Sequence, residues 1–255
     1  MTINLDYPQL LNPVDLEAYY SDSPEKHVFI WSGMKDLVNH HPLLKAHRDF
    51  VVQYGWGYGN RAFHWLWNIL VQHSADDFKF LEIGVFKGQT LSLVSLLNRI
   101  YNKKGTVYGI TPLSSSGDKY ATHPDIDYEN AIMTIYGRFG LDGEDLQILQ
   151  GYSNDSDIIA ASEQLGPFDL VYVDGCHDYE VVVSDLTYYG NMVKLNGYLV
   201  VDDASNNLNI PDNLIRLNWR GLPDVSKATD DVLLNNPKFK EAFAVGHNRI
   251  FRRVQ

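Results

Sequence analysis

Short apolar runs alternate with amphipathic segments through most of this chain. The apolar runs predict buried strands at residues 79–83, 106–110, 146–149, 168–174 and 198–203. Between them, apolar side chains recur every three or four residues, which predicts helices at 61–73, 90–100, 127–136, 156–165 and 179–193. Strands joined by helices pair in parallel, because each helix carries the chain back across the sheet. The pattern predicts an α/β fold with a Rossmann-like, mostly parallel sheet and helices on both faces.

The N-terminal part of the chain follows a different pattern, rich in aromatic side chains and without strand signals. Pro24 stands at a helix start and predicts a helix through 28–38. The run 54–59 alternates glycine with aromatic residues, and it is interpreted either as a flexible entry loop packed by its rings or as a lid over a ligand. The expected organisation is a helical or irregular extension at 1–60, then a main domain at 61–255 with an insertion at 204–240.

Composition narrows the function classes. The 255 residues are 45% hydrophobic and carry a formal net charge of −11, so the chain lacks the basic footprint that nucleic-acid binding requires. A single cysteine, Cys176, excludes an internal disulfide and favours a reducing compartment. No apolar run approaches the ~20 residues of a membrane span, and residues 1–10 lack the features of a signal peptide. We expect a cytoplasmic protein that binds neither nucleic acid nor membrane.

The segment 80–90 joins the first strand to the next helix through a glycine-containing turn. Gly84 and Gly88 stand four residues apart, and Glu82 and Thr90 flank them. Such a turn places a small ligand against bare backbone at a helix N-terminus. The middle glycine of the dinucleotide fingerprint G-x-G-x-x-G is missing, which argues against NAD. Taken alone, the pattern fits a purely structural turn as well as a cofactor site.

Polar residues after the second and third strands are candidates for the remainder of a nucleoside site. Rossmann-type sites carry an acid at the end of the second strand for the ribose hydroxyls, but this chain has Thr111 there. Ribose recognition then rests on the Thr111 hydroxyl or on a neighbour such as Asp118. Ser153 and Asn154 follow the third strand and suit the edge of an adenine, or an ordinary turn.

Acidic residues follow the fourth and fifth predicted strands. Asp174 ends one strand, and Asp202 and Asp203 end the next, so parallel pairing brings them to one edge of the sheet. Carboxylates this close repel one another unless they share protons or bind a cation. Their oxygen ligands favour Mg²⁺, Mn²⁺ or Ca²⁺ over zinc. Helix capping and solvated strand ends are the structural alternatives for these acids.

Four segments together resemble a known family: 82–88, 173–179, 194–198 and 201–203. Over roughly residues 61–203 and the closing hairpin, the chain is similar to class I S-adenosylmethionine (AdoMet) methyltransferases. The resemblance lies with the group related to macrocin O-methyltransferase and the cephalosporin hydroxylases.

This resemblance implies a sheet with an antiparallel last strand, formed by a hairpin at 243–251. It implies AdoMet and Mg²⁺ as cofactors, with Asp174, Asp202 and Asp203 as the metal ligands. It also implies that His177 lies near the acceptor oxygen and acts as the base, beside Asp174.

The expected activity is Mg²⁺-assisted O-methyl transfer to a hydroxyl of a small molecule, either a sugar or a glycosylated natural product. Glu82 and the turn at 84–88 are expected to hold the methionine end of AdoMet. Four residues of the insertion are expected either to line a sugar pocket or to lie in an ordinary surface loop: Asn206, Asn207, Trp219 and Arg220. The alternative hypotheses are a non-catalytic AdoMet-fold partner protein and a Rossmann-type oxidoreductase or hydroxylase. Assembly into a homo-oligomer is left open.

Overall fold

Among the described residues, seven strands form the central sheet: β1 (Lys79–Ile83), β2 (Thr106–Thr111), β3 (Leu146–Gln150), β4 (Phe168–Val173), β5 (Val193–Val201), β6 (Phe239–Val245) and β7 (Asn248–Arg253). The computed structural model describes residues 7–117, 119–120, 126–212, 214 and 220–255. The strand order is β3-β2-β1-β4-β5-β7-β6. Strands β1 to β5 pair in parallel, and β7 pairs antiparallel with both β5 and β6. The predicted fold class is confirmed, including the antiparallel strand of the closing hairpin.

The order of the strands reverses between β1 and β4. Strand β1 pairs with β2 on one side and with β4 on the other, so the chain turns in opposite directions from this point. Ligands bind at such a switch point, outside the carboxyl ends of the strands. The predicted cofactor turn follows β1 and the predicted acids follow β4 and β5, so both lie at this edge.

The helices among the described residues are α1 (Pro13–Tyr19), α2 (Pro24–His40), α3 (Pro42–Gln53), α4 (Ala62–Gln72), α5 (Gln89–Ile100), α6 (Tyr128–Arg138), α7 (Ser156–Leu165), α8 (Tyr179–Asn191) and α9 (Pro223–Thr229). Proline opens α1, α2, α3 and α9, where its missing N–H costs no helical hydrogen bond. Helices α1 to α3 make up most of the described part of the N-terminal extension.

Alternate residues of β1 enter two different cores, one on each face of the sheet. Phe80 packs with Trp67 of α4, with a ring-centroid distance of 5.3 Å, whereas Leu81 belongs to the core that contains Leu186 of α8. This alternation follows from the two-residue period of a strand. Helices on both faces thus bury the sheet and hold the ends of β1, β4 and β5 in fixed positions.

The boundary between α8 and β5 differs from the sequence prediction. The sequence predicts a helix over 179–193, but α8 ends at Asn191 and Val193 already pairs with Phe168 of β4. The register of β4 and β5 shifts next to this pair, and Asn196 has a left-handed φ of 67°. Val193 is buried by either arrangement, so its hydrophobicity could not distinguish helix from strand.

The N-terminal extension and the insertion contact each other beside the sheet. Asp22 accepts hydrogen bonds of 2.9 Å from the backbone N–H and the side-chain amide of Asn209. Helix α2 also packs along α4. Within the described parts of the chain, no helix has both the length and the apolarity needed to cross a bilayer.

Candidate active site

Both glycines of the turn between β1 and α5 have left-handed backbone conformations, with φ of 90° at Gly84 and 85° at Gly88. A Cβ atom at Gly84 would lie 2.0 Å from the carbonyl oxygen of Asp174, and one at Gly88 would lie 2.8 Å from Ile132 Cγ1. No side chain fits at either position without displacing its neighbours. The turn therefore brings the end of β1 into direct backbone contact with the end of β4.

Two adjoining cavities open at this turn, a cleft of about 400 Å³ and a smaller cavity of about 50 Å³. Gly84, Phe86 and Asp174 line both of them. The other predicted cofactor residues line one cavity each, except Gly88, which lines neither. The cleft takes Thr111, Ser153 and Asn154, and the small cavity takes Glu82 and Thr90.

Glu82 is buried at the end of β1 and lines the small cavity. The Thr90 hydroxyl and the Leu91 backbone N–H donate hydrogen bonds to its carboxylate, whereas Oε2 has no hydrogen-bond partner among the described residues. Burial raises the pKa of Glu82 well above its ordinary value, and the charge of Asp202 adds to that effect. A ligand that donates a hydrogen bond, above all a cationic one, would satisfy this buried oxygen.

Thr111 lines the cleft, but its hydroxyl already has a local role. Its Oγ1 accepts a 3.1 Å hydrogen bond from the backbone N–H of Leu113. The loop after β2 instead presents a chain of hydroxyl groups, in which Ser116 Oγ lies 2.8 Å from Tyr152 OH and also contacts Ser114 Oγ. Asp118, the sequence-based alternative for the ribose, lies outside the described residues. Among the described residues, no acidic side chain stands at the end of β2.

The loop at 54–59 covers the cofactor turn. Lys87 Nζ donates a 3.1 Å hydrogen bond to the carbonyl oxygen of Gly55, and Arg48 donates to the carbonyl oxygens of Tyr58 and Gly59 at 2.8 Å and 2.6 Å. Gly57, Tyr58 and Gly59 line the small cavity. This segment therefore forms part of the wall of the small cavity, and its interpretation as a lid stays a prediction.

The acidic strand ends meet a histidine that the sequence interpretation missed. His247 Nδ1, in the turn between β6 and β7, lies 2.9 Å from Asp202 Oδ1 and 2.8 Å from Asp203 Oδ1. One ligand atom from each of these three residues lies within 4.8 Å of the others. The polar pair of His247 and Asn248 at the hairpin turn was the available signal. Asn248 Nδ2 also donates a 2.7 Å hydrogen bond to Asp202 Oδ1.

The charges in this cluster perturb one another strongly. Burial opposes the charge of His247, but Asp202 and Asp203 outweigh it and raise the pKa of the imidazole to about 10. Burial, followed by the charge of Asp202, raises the pKa of Asp174 well above its ordinary value. Without a metal ion, the His247 imidazolium neutralises part of the acidic cluster. The same carboxylates are the oxygen ligands that a hard divalent cation prefers, so the donor set fits such an ion.

The other predicted residues lie at different distances from this centre. His177 Nε2 is 3.5 Å from Asp203 Oδ2, so the candidate base stands beside the acids. Two of the insertion residues bind other side chains instead: Asn207 Nδ2 donates a 2.8 Å hydrogen bond to Asp230, and Arg220 pairs with Asp212. Among the described insertion residues proposed for a sugar pocket, none lines either cavity, and Trp219 lies outside the described residues.

Residues 81–204 match a family described as a methyltransferase domain. The matched segment includes the glycine turn after β1, Asp174 after β4 and the acid pair after β5. This segment is a class I, AdoMet-dependent methyltransferase domain. The sequence-based recognition of a class I methyltransferase is thereby confirmed, and the matched segment contains the residues predicted to hold the cofactor and the metal and to act as the base.

One relative is a protein of Acanthamoeba polyphaga mimivirus named uncharacterized protein R132. It is 31% identical over 142 residues, which are 55% of this chain and 58% of the relative. The alignment thus spans less than two thirds of the relative's length.

Solved structures share the fold of the methyltransferase domain at low sequence identity. The S-adenosylhomocysteine-bound methyltransferase PaMTH1 of Podospora anserina has a TM-score of 0.57 at 14% identity, covering 83% of this chain and 87% of the other. An O-methyltransferase of Bacillus cereus in complex with S-adenosylhomocysteine has a TM-score of 0.58 at 14% identity, covering 89% of this chain and 100% of the other. Both similarities support the class I methyltransferase fold.

Proposed function

We propose that this protein is an AdoMet-dependent O-methyltransferase, assisted by Mg²⁺, that acts on a hydroxyl of a small molecule, either a sugar or a glycosylated natural product. The observation that carries the proposal is the position of Asp174. This residue lines both cavities beside the cofactor turn, and its pKa responds to Asp202 and Asp203 in the acidic cluster. A cofactor bound in the two cavities and an acceptor bound beside Asp202 and Asp203 would therefore meet at Asp174.

The polar groups that line the two cavities suit different parts of AdoMet. The nucleoside belongs in the large cleft, where Ser153, Asn154 and the hydroxyl chain of Ser116 and Tyr152 supply polar contacts. The methionine end belongs in the small cavity beside the unpaired Oε2 of Glu82. The sulfonium then lies near the junction of the cavities, close to the acids. The S-adenosylhomocysteine in the Bacillus cereus relative supports a ligand of this kind.

The acids that follow β4 and β5 would hold the divalent cation. Asp174, Asp202 and Asp203 offer oxygen ligands that suit Mg²⁺, Mn²⁺ or Ca²⁺. A bound cation supplies Lewis acidity that lowers the pKa of an acceptor hydroxyl. The positively charged sulfonium of AdoMet also suits these acidic surroundings.

His177 is proposed to take the proton of the acceptor hydroxyl. Asp203 Oδ2 lies 3.5 Å from His177 Nε2, and a carboxylate at that distance orients an imidazole. As the acceptor oxygen bonds to the methyl carbon, the carbon–sulfur bond breaks and its electron pair stays on sulfur. The products are the methyl ether, S-adenosylhomocysteine and a proton on His177. Holding the oxygen in line with the methyl group supplies much of the acceleration.

Calorimetry with S-adenosylhomocysteine, followed by an acceptor screen, tests this function. The expected result is binding of S-adenosylhomocysteine, and its release from AdoMet when sugars or glycosides are added with Mg²⁺. Absence of binding refutes the proposal at its root. Binding without transfer to any acceptor would favour a non-catalytic partner protein, whereas turnover that persists in EDTA would remove the role of the metal.

A further inference from the structure

A buried pair of histidines lies behind the small cavity. His47 on α3 and His64 on α4 are 0% and 1% exposed, and His47 Nδ1 lies 2.9 Å from His64 Nε2. His47 Nε2 lies 3.0 Å from the hydroxyl of Ser92, which is also buried. His64 lines the small cavity. The sequence interpretation assigned no role to these residues, and the mechanism above does not use them.

The hydrogen bonds of this chain determine where the ring protons lie. The Ser92 hydroxyl donates to the carbonyl oxygen of Gly88 at 2.7 Å, so Ser92 Oγ is the acceptor toward His47. His47 therefore carries its proton on Nε2, and its Nδ1 accepts. His64 must then donate through Nε2, which leaves Nδ1 of His64 as an unprotonated acceptor.

Burial keeps both rings neutral, as this assignment requires. It is the main cause that lowers the pKa of His47 to about 3 and that of His64 well below its ordinary value, and the charge of Arg48 adds to both shifts. His40 and His73 differ from His64 at this atom. In each of them, Nδ1 lies 2.9 Å from the carbonyl oxygen of the residue four positions earlier. No such bond to a described residue occupies Nδ1 of His64.

The residues that line the small cavity suit a positively charged hydrogen-bond donor. Glu82, Asp174 and Asp202 line it, and none of its described lining residues is a lysine or an arginine. Glu82 Oε2 is buried there without a partner among the described residues. An ammonium group carries three N–H donors and a positive charge, so it matches a carboxylate and a neutral imidazole acceptor together.

We propose that Nδ1 of His64 accepts a hydrogen bond from the α-ammonium group of the AdoMet methionine, together with Glu82, and that His47 is a positioning residue that fixes the His64 tautomer. This inference rests on the proposed use of AdoMet. It adds the N-terminal extension to the cofactor site, because His47 belongs to α3.

Binding of three ligands to His64→Gln tests the contact. S-adenosylhomocysteine has both the ammonium and the carboxylate, its decarboxylated analogue keeps only the ammonium, and 5′-methylthioadenosine has neither. The expected result is a loss of affinity of about tenfold or more for the first two ligands, with 5′-methylthioadenosine unchanged. His73→Gln, an exposed histidine just after the same helix, is the matched control and should bind all three as the wild type does.

Nitrogen NMR of the histidine-labelled wild-type protein gives a second readout that needs no variant. The expected spectrum shows a pyridine-type Nδ1 and a protonated Nε2 for His64. A protonated Nδ1, or an equal loss of affinity for all three ligands in His64→Gln, would overturn the inference. Failure of the wild type to bind S-adenosylhomocysteine would instead refute the proposed function, so the two failures are distinguishable.

Discussion

His247 Nδ1 lies within 2.9 Å of Asp202 Oδ1 and within 2.8 Å of Asp203 Oδ1, at the ends of elements that are far apart in sequence. The contact ties the hairpin of β6 and β7 to the acids that follow β5. The carbonyl oxygen of His247 also accepts a 2.9 Å hydrogen bond from the backbone N–H of Ala204. The closing hairpin therefore completes the candidate active site as well as the sheet.

Replacing His247 should destabilise the metal-free protein more than the metal-loaded one. In His247→Gln the carboxylates of Asp202 and Asp203 lose their buried counter-charge, which should lower the free energy of unfolding by roughly 3–5 kcal/mol. Mg²⁺ would replace that charge and restore most of the loss. Thermal unfolding in EDTA and in Mg²⁺ measures both effects. His40→Gln, which alters an exposed pair with Asp36, is the control and should change little. Equal melting of wild type and His247→Gln in EDTA would contradict the expectation.

Asp174→Asn should abolish methyl transfer while keeping the fold. The amide removes a carboxylate from the shared wall of the two cavities, and we expect turnover to fall on the order of 100-fold or more. Because the pKa of Asp174 is raised by burial, its neutral replacement should not lower the unfolding temperature. Turnover is measured as release of S-adenosylhomocysteine, and Mg²⁺ affinity by calorimetry. Asp178→Asn changes an exposed acid paired with Lys119 and serves as the control. Undiminished turnover in Asp174→Asn would remove this residue from the mechanism.

Tyr152→Phe should weaken cofactor binding moderately. The variant removes the hydroxyl that contacts Ser116 at the wall of the large cleft, and one neutral hydrogen bond corresponds to about a 2- to 10-fold change in affinity. Calorimetry with S-adenosylhomocysteine measures the change. Tyr188→Phe, which removes the hydroxyl of an exposed tyrosine, should leave the affinity unaltered. An unchanged affinity in Tyr152→Phe would place ribose recognition elsewhere, with Asp118 as the next residue to replace.

Asp185 should make the stability of the fold depend on pH. Burial raises the pKa of this carboxyl to about 7 from an ordinary 3.8, against a smaller opposing effect of Ser153, and neither oxygen has a hydrogen-bond partner of normal geometry among the described residues. The folded state favours the protonated acid, so its contribution to stability is complete below about pH 3.8 and is lost as the pH rises to about 7.

Between pH 5 and pH 8 the wild type should therefore lose roughly 2–3 kcal/mol more stability than Asp185→Asn, at about 1.4 kcal/mol for each pH unit up to the folded pKa. Urea unfolding of both proteins at the two pH values measures this difference. Parallel losses in the two proteins would show that Asp185 is ionised throughout.

The fold was predictable because its signals are local. The apolar runs at β1 and β4 and the glycines at 84 and 88 act through neighbours in sequence, and each of these elements has the predicted type. The boundary at Val193 was wrong because a buried valine suits a helix and a strand equally. The acids Asp174, Asp202 and Asp203 could be placed at one edge from the parallel order of the strands alone.

The remaining site residues depend on contacts between distant segments. His247 reaches Asp202 only because β7 inserts beside β5, and His64 lines the same small cavity as Glu82 only because α4 packs against α5. The sequence by itself determined the α/β order, the glycine turn and the acidic strand ends, since periodicity and strand polarity specify them. Tertiary structure alone decided which imidazoles join them, because the burial and hydrogen bonds of a histidine come from whatever packs against it.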